Sequence, residues 1–352
     1  MSTTQQYDRI TGYASHGKSE KLVKFTYDPA PLQPNDIEIK ISHCGICGSD
    51  IHTLDSGWGP TNYPVIVGHE IVGEITAVGP EVKGFKVGDR VGVGAQCAAC
   101  MKETCKACKV KREAHCPKIA GTYNSKRSID GSKTYGGYAE AIRVQQDFAF
   151  HIPEGIPSDK AAPLLCAGTT VFTPMLRHGF KKGDRVGVIG IGGLGHLAIQ
   201  FANKLGCEVY ALSHSHSKEE DAKKMGAVHF IAYSNEEESK KIKNTLDFLI
   251  VTSNSKDAQW NLFASWMDFD GKIIVLAVPE ADILISPFAL IMNNVSVTGS
   301  SIGSPYEIKK MLEFAAEHKV YPWIESYPMD KCNEGVQLVR DGKVRYRVVL
   351  EN

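Results

Sequence analysis

The chain has 352 residues, 43% hydrophobic and 23% charged, with 40 lysines and arginines balancing 40 aspartates and glutamates. That length exceeds one ordinary core and fits two domains, and the balanced charge argues against a nucleic-acid partner or an acidic membrane surface. Met1 to Ile10 is polar, and no apolar run approaches the roughly 18 residues that cross a bilayer. A cytoplasmic protein is expected, whose ten cysteines bind metal or stay as buried thiols.

The first third reads as short β segments cut by glycine and proline. Ile37 to Ser42 alternates apolar and polar residues, and Ile71 to Val78 and Arg90 to Val93 are further β-branched runs, a pattern suited to a partly open barrel. From about Pro157 strands begin to alternate with helical stretches, which predicts a parallel sheet covered by helices. Strands are expected at Arg185 to Ile189, Glu208 to Leu212, Val228 to Ile231, Leu246 to Val251, Lys272 to Ala277 and Val295 to Thr298, and six is the doubly wound number. A helix over Pro305 to His318 and an alternating tail over Val344 to Leu350 do not continue that repeat. The expected organisation is a mostly β domain, 1–154 with 301–352, split around an α/β domain, 155–300. No low-complexity linker or internal repeat interrupts it.

Gly190, Gly192 and Gly195 form GxGxxG between the apolar strand ending at Ile189 and a stretch in which Leu197, Ala198, Phe201 and Leu205 share a helical face. Strand, turn and helix in that order predict a dinucleotide site, because the backbone must approach a pyrophosphate while N–H groups at the helix start receive its charge. At the end of the next strand, where an NAD enzyme usually places a carboxylate, stands Ser213, followed by His214, Ser215, His216, Ser217 and Lys218. Hydroxyls and an ammonium bind a 2′-phosphate that a carboxylate would repel. NADP(H) is therefore expected, and a solvated polar turn is the plainer alternative.

Cys97, Cys100, Cys105, Cys108 and Cys116 fall within twenty residues. Closely spaced thiols of this kind suit a closed tetrahedral zinc site, which needs four and leaves one spare. Cys47, His69 and Cys166 lie in glycine-rich surroundings, GICGSD, VGHE and LLCAGTT, but spacing alone does not single them out. Cys44 with Cys47 even makes a CxxC that could suggest redox chemistry.

The ordered set GICGSDIH (45–52), GHEIVGEITAVG (68–79), the cysteine lobe, YGGYAE (135–140), LLCAGTTVF (164–172) and GIGGLGH (190–196) resembles the zinc-dependent medium-chain alcohol dehydrogenases. Within them it is most similar to the cinnamyl alcohol dehydrogenase branch, with its broad-specificity fungal NADP(H) members. The resemblance spans nearly the whole chain and implies a Rossmann domain beside a GroES-like catalytic domain. It further implies hydride transfer between NADP(H) and primary alcohols or aldehydes, aliphatic, aromatic or cinnamyl, mainly as an aldehyde reductase. Two zinc ions per chain and a homodimer, paired through the edge strand Val295 to Thr298, complete the expectation.

By motif, the resemblance makes Cys47, His69 and Cys166 the ligands of a catalytic zinc with an open fourth position, the arrangement typical of alcohol dehydrogenases. Asp50 becomes the carboxylate that orients His69, and Glu70 the acid able to approach the metal. Ser49 and His52 become the inner and outer members of a proton relay that passes through the nicotinamide ribose. Thr170 stands beside the nicotinamide; Gly193, Leu194, Ser300 and Ile302 join the cofactor contacts. Trp58 and the segment 300–303 lie where relatives line the substrate channel.

Two departures stand out. The family's cysteine lobe spaces its ligands by two, two and seven residues. Here Cys100, Cys105, Cys108 and Cys116 are spaced by four, two and seven, so Cys100 is assigned as first ligand, with Cys97 in its place as the alternative. Glu219 stands where fungal relatives often carry another basic residue, which weakens the expected preference for the phosphate. The rival to an enzyme is a non-catalytic NADPH-binding protein, against which stand the zinc ligands, the relay pair and Asp50; relatives that reduce C=N or activated C=C bonds keep the bond type open.

Overall fold

The computed structural model describes residues 6–279 and 281–352; the first half of the polar stretch that begins at Met1 lies outside them. The chain divides into two compact units, one running to Thr169 and resuming at Gly303–Asn352, the other Thr170–Ile302.

The core of the first unit is a sheet in the order Ile324–Pro328, Arg347–Glu351, Asp36–Ile46, Glu70–Val78, Arg90–Val93, Ala149–His151, with Ala141–Gln145 also paired to Asp36–Ile46. Ile37, Ile39, Ile41, Ile71, Ile75, Val91 and Val93 are all buried, each worth about 1.5–3 kcal/mol of apolar burial. The expected strand Ile37 to Ser42 continues to Ile46, because the C-terminal strand pairs with its far end, Val348 against Ile46 and Leu350 against Cys44. This antiparallel addition brings the end of the chain beside the segment that carries Cys47.

The boundary at Pro157 is corrected by the structure. Ser158–Pro163 is a helix followed by a π-helical turn, Leu164–Gly168, and both belong to the first unit. The reason is apolar: Ala161, Ala162, Leu164 and Leu165 are fully buried, so the run packs with the first unit instead of opening the α/β repeat. Cys166 is carried on that π turn, a feature common at functional sites.

The second unit holds a six-stranded parallel sheet in the order His229–Ala232, Glu208–Ser213, Arg185–Ile189, Leu246–Val251, Met267–Val275, Ser296–Gly299. In order of occurrence this is 3-2-1-4-5-6, the doubly wound arrangement. The strand expected at Lys272 to Ala277 starts at Met267, since Leu246 pairs with Met267 across a bulge. Val186, Val188, Val209, Ala211, Leu249 and Ile250 are fully buried, as strands covered on both faces must be. The first and fourth strands, Arg185–Ile189 and Leu246–Val251, are neighbours, so the sheet reverses its winding at the carboxyl end of Ile189, the usual ligand crevice of such folds.

Candidate active site and cofactor site

Cys47 ends the segment after the long strand and precedes the helix Gly48–Leu54. The Asp50 carboxylate accepts the Cys47 N–H at 2.9 Å and the Gly68 N–H at 3.2 Å, so one buried carboxylate ties both ligand-bearing loops together. Tyr138 Oη donates to it at 3.1 Å, and His69 Nδ1 lies 3.5 Å from its other oxygen. Tyr123 Oη is 3.2 Å from the same Nδ1. These neighbours fix the imidazole with Nδ1 inward to the carboxylate and leave Nε2, which is buried without a partner.

That orphaned nitrogen belongs to a buried cluster: one donor atom each of Cys47, His69, Glu70 and Cys166 lies within 4.8 Å of the others. The Cys166 thiol donates to Cys47 and holds it well below the usual thiol range, while Cys166 itself is pushed up. Burial pulls His69 down, but Asp50 and the Cys47 thiolate outweigh it and raise the imidazole to about 9. Borderline and soft donors that compete for too few protons in a dry pocket are what a divalent zinc ion satisfies. Glu70 pairs with Arg347, and burial, opposed by Arg347, raises its carboxyl to about 7. Its second oxygen has no partner. Gly45 makes room for it, since a Cβ there would sit 2.0 Å from Glu70 Oε2.

Ser49 Oγ lies 3.6 Å from Cys47 Sγ, and His52 follows one helical turn later on the same helix face. The His52 ring stacks on Trp58, centroids 4.5 Å apart and planes 12° from parallel. Trp58 is 49% exposed, so it covers the His52 ring and does not fill a core. Tyr123, Tyr138 and Arg347 escaped the reading of residues; Tyr138 sits inside the YGGYAE motif, whereas Arg347 carries no local signal and acts only through strand pairing.

The four thiols Cys100, Cys105, Cys108 and Cys116 also lie within 4.8 Å of one another, with sulfur–sulfur distances of 3.5 Å for Cys116–Cys100 and 3.7 Å for Cys100–Cys108. The Cys108 backbone N–H helps lower Cys105 to about 7, while burial and the neighbouring thiols push Cys108 up. Four crowded sulfurs cannot all ionise without a cation, so this donor set too fits zinc. Cys97 is elsewhere: its thiol meets the Gly121 carbonyl at 3.3 Å, and burial raises it to about 12. The alternative with Cys97 in place of Cys100 is therefore corrected; the strand Gln96–Ala98 turns that side chain into the sheet core and leaves Cys100 to the lobe.

In the second unit each motif glycine has its own reason. Gly190 has φ +88°, a left-handed conformation that L side chains rarely adopt. A Cβ at Gly192 would meet nothing within 4 Å, which leaves open space for a phosphate. One at Gly195 would lie 1.8 Å from the Gly190 carbonyl oxygen, so the helix Gly195–Lys204 starts hard against the turn through Gly193 and Leu194. Thr252 Oγ1 buttresses the turn by donating to the Ile189 and Gly190 carbonyls. Ser213 closes its strand, and Lys218 Nζ donates to the Ile191 carbonyl at 2.7 Å, which seats the ammonium against the glycine turn. Ser215 Oγ donates to Ser217 Oγ at 3.2 Å, and the His214 carbonyl accepts from Ser234. Thr170 is buried on the helix Thr169–His178. Ser300 Oγ is a buried hydroxyl without a partner, and Ile302 holds φ +30°, a strained value for a β-branched residue.

A six-stranded doubly wound unit with a glycine turn, beside a mostly β unit carrying two separate metal-donor clusters, defines a medium-chain dehydrogenase. Residues 33–154 match the alcohol dehydrogenase GroES-like domain and 193–317 the zinc-binding dehydrogenase domain. The chain is 40% identical to cinnamyl alcohol dehydrogenase 2 of Arabidopsis thaliana, covering 98% of this chain and 92% of that protein. It is 39% identical to NADP-dependent alcohol dehydrogenase 6 of Saccharomyces cerevisiae over 99% and 98%. Among solved structures, a cinnamyl alcohol dehydrogenase of Sorghum bicolor superposes with TM-score 0.94 at 35% identity, covering 97% of both chains. One from Helicobacter pylori complexed with NADP(H) superposes at 0.90 and 34%, over 97% and 98%. The protein belongs to the zinc-binding alcohol dehydrogenase family, in the branch of the cinnamyl alcohol dehydrogenases.

Proposed function

We propose that the protein is an NADP(H)-dependent dehydrogenase that interconverts primary alcohols and aldehydes, aliphatic, aromatic or cinnamyl, and works mainly as an aldehyde reductase. The observation that carries this reading is the convergence of Cys47, His69 and Cys166 around the unpartnered His69 Nε2. When bound, zinc supplies Lewis acidity to the substrate oxygen, and NADPH supplies the hydride. The chain's own residues do the rest. Asp50 and Tyr123 hold His69 in one tautomer, so its free nitrogen is preset for the ion. Reduction creates an oxyanion that must take up a proton; Ser49 Oγ donates it, and His52 exchanges protons with solvent at the outer end. Trp58 holds the His52 ring in place.

Cys100, Cys105, Cys108 and Cys116 hold a second, structural zinc, with Ala99 and Phe148 forming the small apolar core of that lobe. Lys218, Ser213, His214 and Ser215 bind the 2′-phosphate, an assignment supported by the Lys218 bond to the glycine turn and by the NADP named for two relatives. Thr170, Ser300 and Ile302 contact the nicotinamide end. The molecule pairs as a homodimer through the outer strand Ser296–Gly299, beside which Phe288 and Ile291 are 71% and 73% exposed. Its two clusters of free thiol donors suit a reducing compartment such as the cytoplasm; no helix among the described residues is long and apolar enough to cross a membrane.

The test is a kinetic panel of aliphatic, aromatic and cinnamyl aldehydes with NADPH, and of the alcohols with NADP⁺, on protein of measured zinc content. Aldehyde reduction with higher kcat/KM than alcohol oxidation is expected; zinc-loaded protein inert on every member would remove the reading.

A further inference from the structure

The segment that follows the second Rossmann strand contains a histidine held between two acids. His216 Nδ1 lies 2.7 Å from Glu219 Oε2, and Nε2 lies 2.9 Å from Glu238 Oε1. Glu219 opens the helix Glu219–Lys224, and Glu238 belongs to the helix Glu236–Lys240 beyond the next strand. The ring therefore bridges two successive strand-to-helix connections. A neutral imidazole has one N–H and one lone pair, and a lone pair facing a carboxylate oxygen at such a distance is repulsive. Both contacts are attractive only for the imidazolium.

The other oxygens of these acids are also engaged. Glu219 Oε1 meets Lys223 Nζ at 2.7 Å, and Glu238 Oε2 accepts the Ala232 N–H at 2.9 Å. Phe230, from the strand between, packs on the His216 ring at 5.5 Å, and the Lys241 charge also favours ionised Glu238. Glu219, next to Lys218 in sequence, is thus held by His216 and Lys223, and Glu238 by His216, the Ala232 N–H and the Asn235 amide. The acid at 219, which by sequence should oppose a phosphate, is neutralised by its neighbours.

We infer that His216 is a positioning residue for cofactor choice: as an imidazolium it clamps Glu219 and Glu238 and keeps both carboxylates from opposing a 2′-phosphate at Ser213, Ser215 and Lys218. The inference rests on the proposal that this turn binds the phosphate of NADP(H). Loss of the proton makes one of the two contacts repulsive, leaves that carboxylate oxygen uncompensated by the imidazolium charge, and disfavours NADPH while leaving NADH unaffected. The sign follows from the partners, which raise the imidazole above its ordinary value: the clamp is complete below that raised value and is lost as pH climbs through it. The phosphate itself titrates lower, near a pKa of about 6, and so stays dianionic across the change. Because the charges are exposed, added salt should weaken the effect.

Dissociation constants of NADPH and NADH, read by nucleotide fluorescence from neutral to mildly alkaline pH, test this alongside kcat/KM. His216→Ala should weaken NADPH binding by roughly two- to fivefold, the scale of an exposed charge interaction, leave NADH unchanged, and flatten the alkaline fall in NADPH affinity that the wild type shows. His216→Ala/Glu219→Gln should recover part of the loss. His216→Gln keeps one hydrogen bond without the charge, so it guards against collapse of the loop and should lack the same pH dependence. If Lys218→Ala selectively loses NADPH while both His216 variants keep the wild-type affinities and pH profile, the phosphate site stands and the clamp is overturned. If Lys218→Ala weakens both cofactors equally, the phosphate site falls and the clamp with it.

Discussion

Asp50 and His69 meet with the carboxylate 3.5 Å from Nδ1, and the same carboxylate accepts the N–H of Cys47. One buried acid therefore orients a metal-donor histidine and fixes the loop of a metal-donor cysteine. Asp50→Asn keeps the shape but loses the charge and one acceptor. It should lower catalytic zinc affinity about 10- to 100-fold, the usual effect of removing such an orienting group. A chelator titration followed by elemental analysis measures it, and unchanged zinc retention would show that the carboxylate does not support the ligand set.

Two zinc ions per chain are expected because the donor clusters are separate in sequence and in space. Cys108→Ser should lower folded yield, since the small buried apolar cluster of Ala99, Cys116 and Phe148 gives the lobe little support beyond the proposed structural zinc. Cys166→Ser should leave a folded chain with one zinc that binds NADPH and does not turn over. Wild-type activity in Cys166→Ser would remove Cys166 from the catalytic set.

Ser49 and His52 share one face of a seven-residue helix, and the proposed relay gives them different jobs. Ser49→Ala should lower kcat about a hundredfold or more, as expected for loss of a placed proton-transfer group. His52→Ala should be milder because water can replace an outer member, and Trp58→Ala, which removes only the stacked ring, milder still. The ranking is read from kcat at saturating substrate; a His52 variant worse than the Ser49 variant would reverse the order of the relay.

Lys218 donates to the glycine turn at Ile191. Removing its ammonium in Lys218→Ala should reduce kcat/KM with NADPH roughly five- to a hundredfold, about 1–3 kcal/mol of charge-assisted hydrogen bonding, and barely affect NADH. Ser213→Asp puts a carboxylate at the strand end and should shift preference toward NADH. Comparing kcat/KM for the two cofactors across wild type and both variants decides it.

Much of this was legible from residue order. GxGxxG between strand and helix, apolar strands with no polar face, and a dense cysteine lobe are local patterns, and local patterns report backbone geometry and donor chemistry directly. The helix over Pro305–His318 has the bounds expected for it, and its start is capped locally by Ser304 and Glu307. Four things were decided only in three dimensions. The spacing favours Cys100 over Cys97 without excluding Cys97, and the strand that buries Cys97 against Gly121 separates them. Residues 158–169 carry the helical rhythm of the second unit but join the first, because their apolar faces find a core there. Arg347 reaches Glu70, 277 residues away, through antiparallel pairing of the last strand, and His216 finds Glu238 across a strand. Such contacts depend on register and packing between distant segments, which fix where a charge lies but leave no periodicity or spacing for a sequence to display.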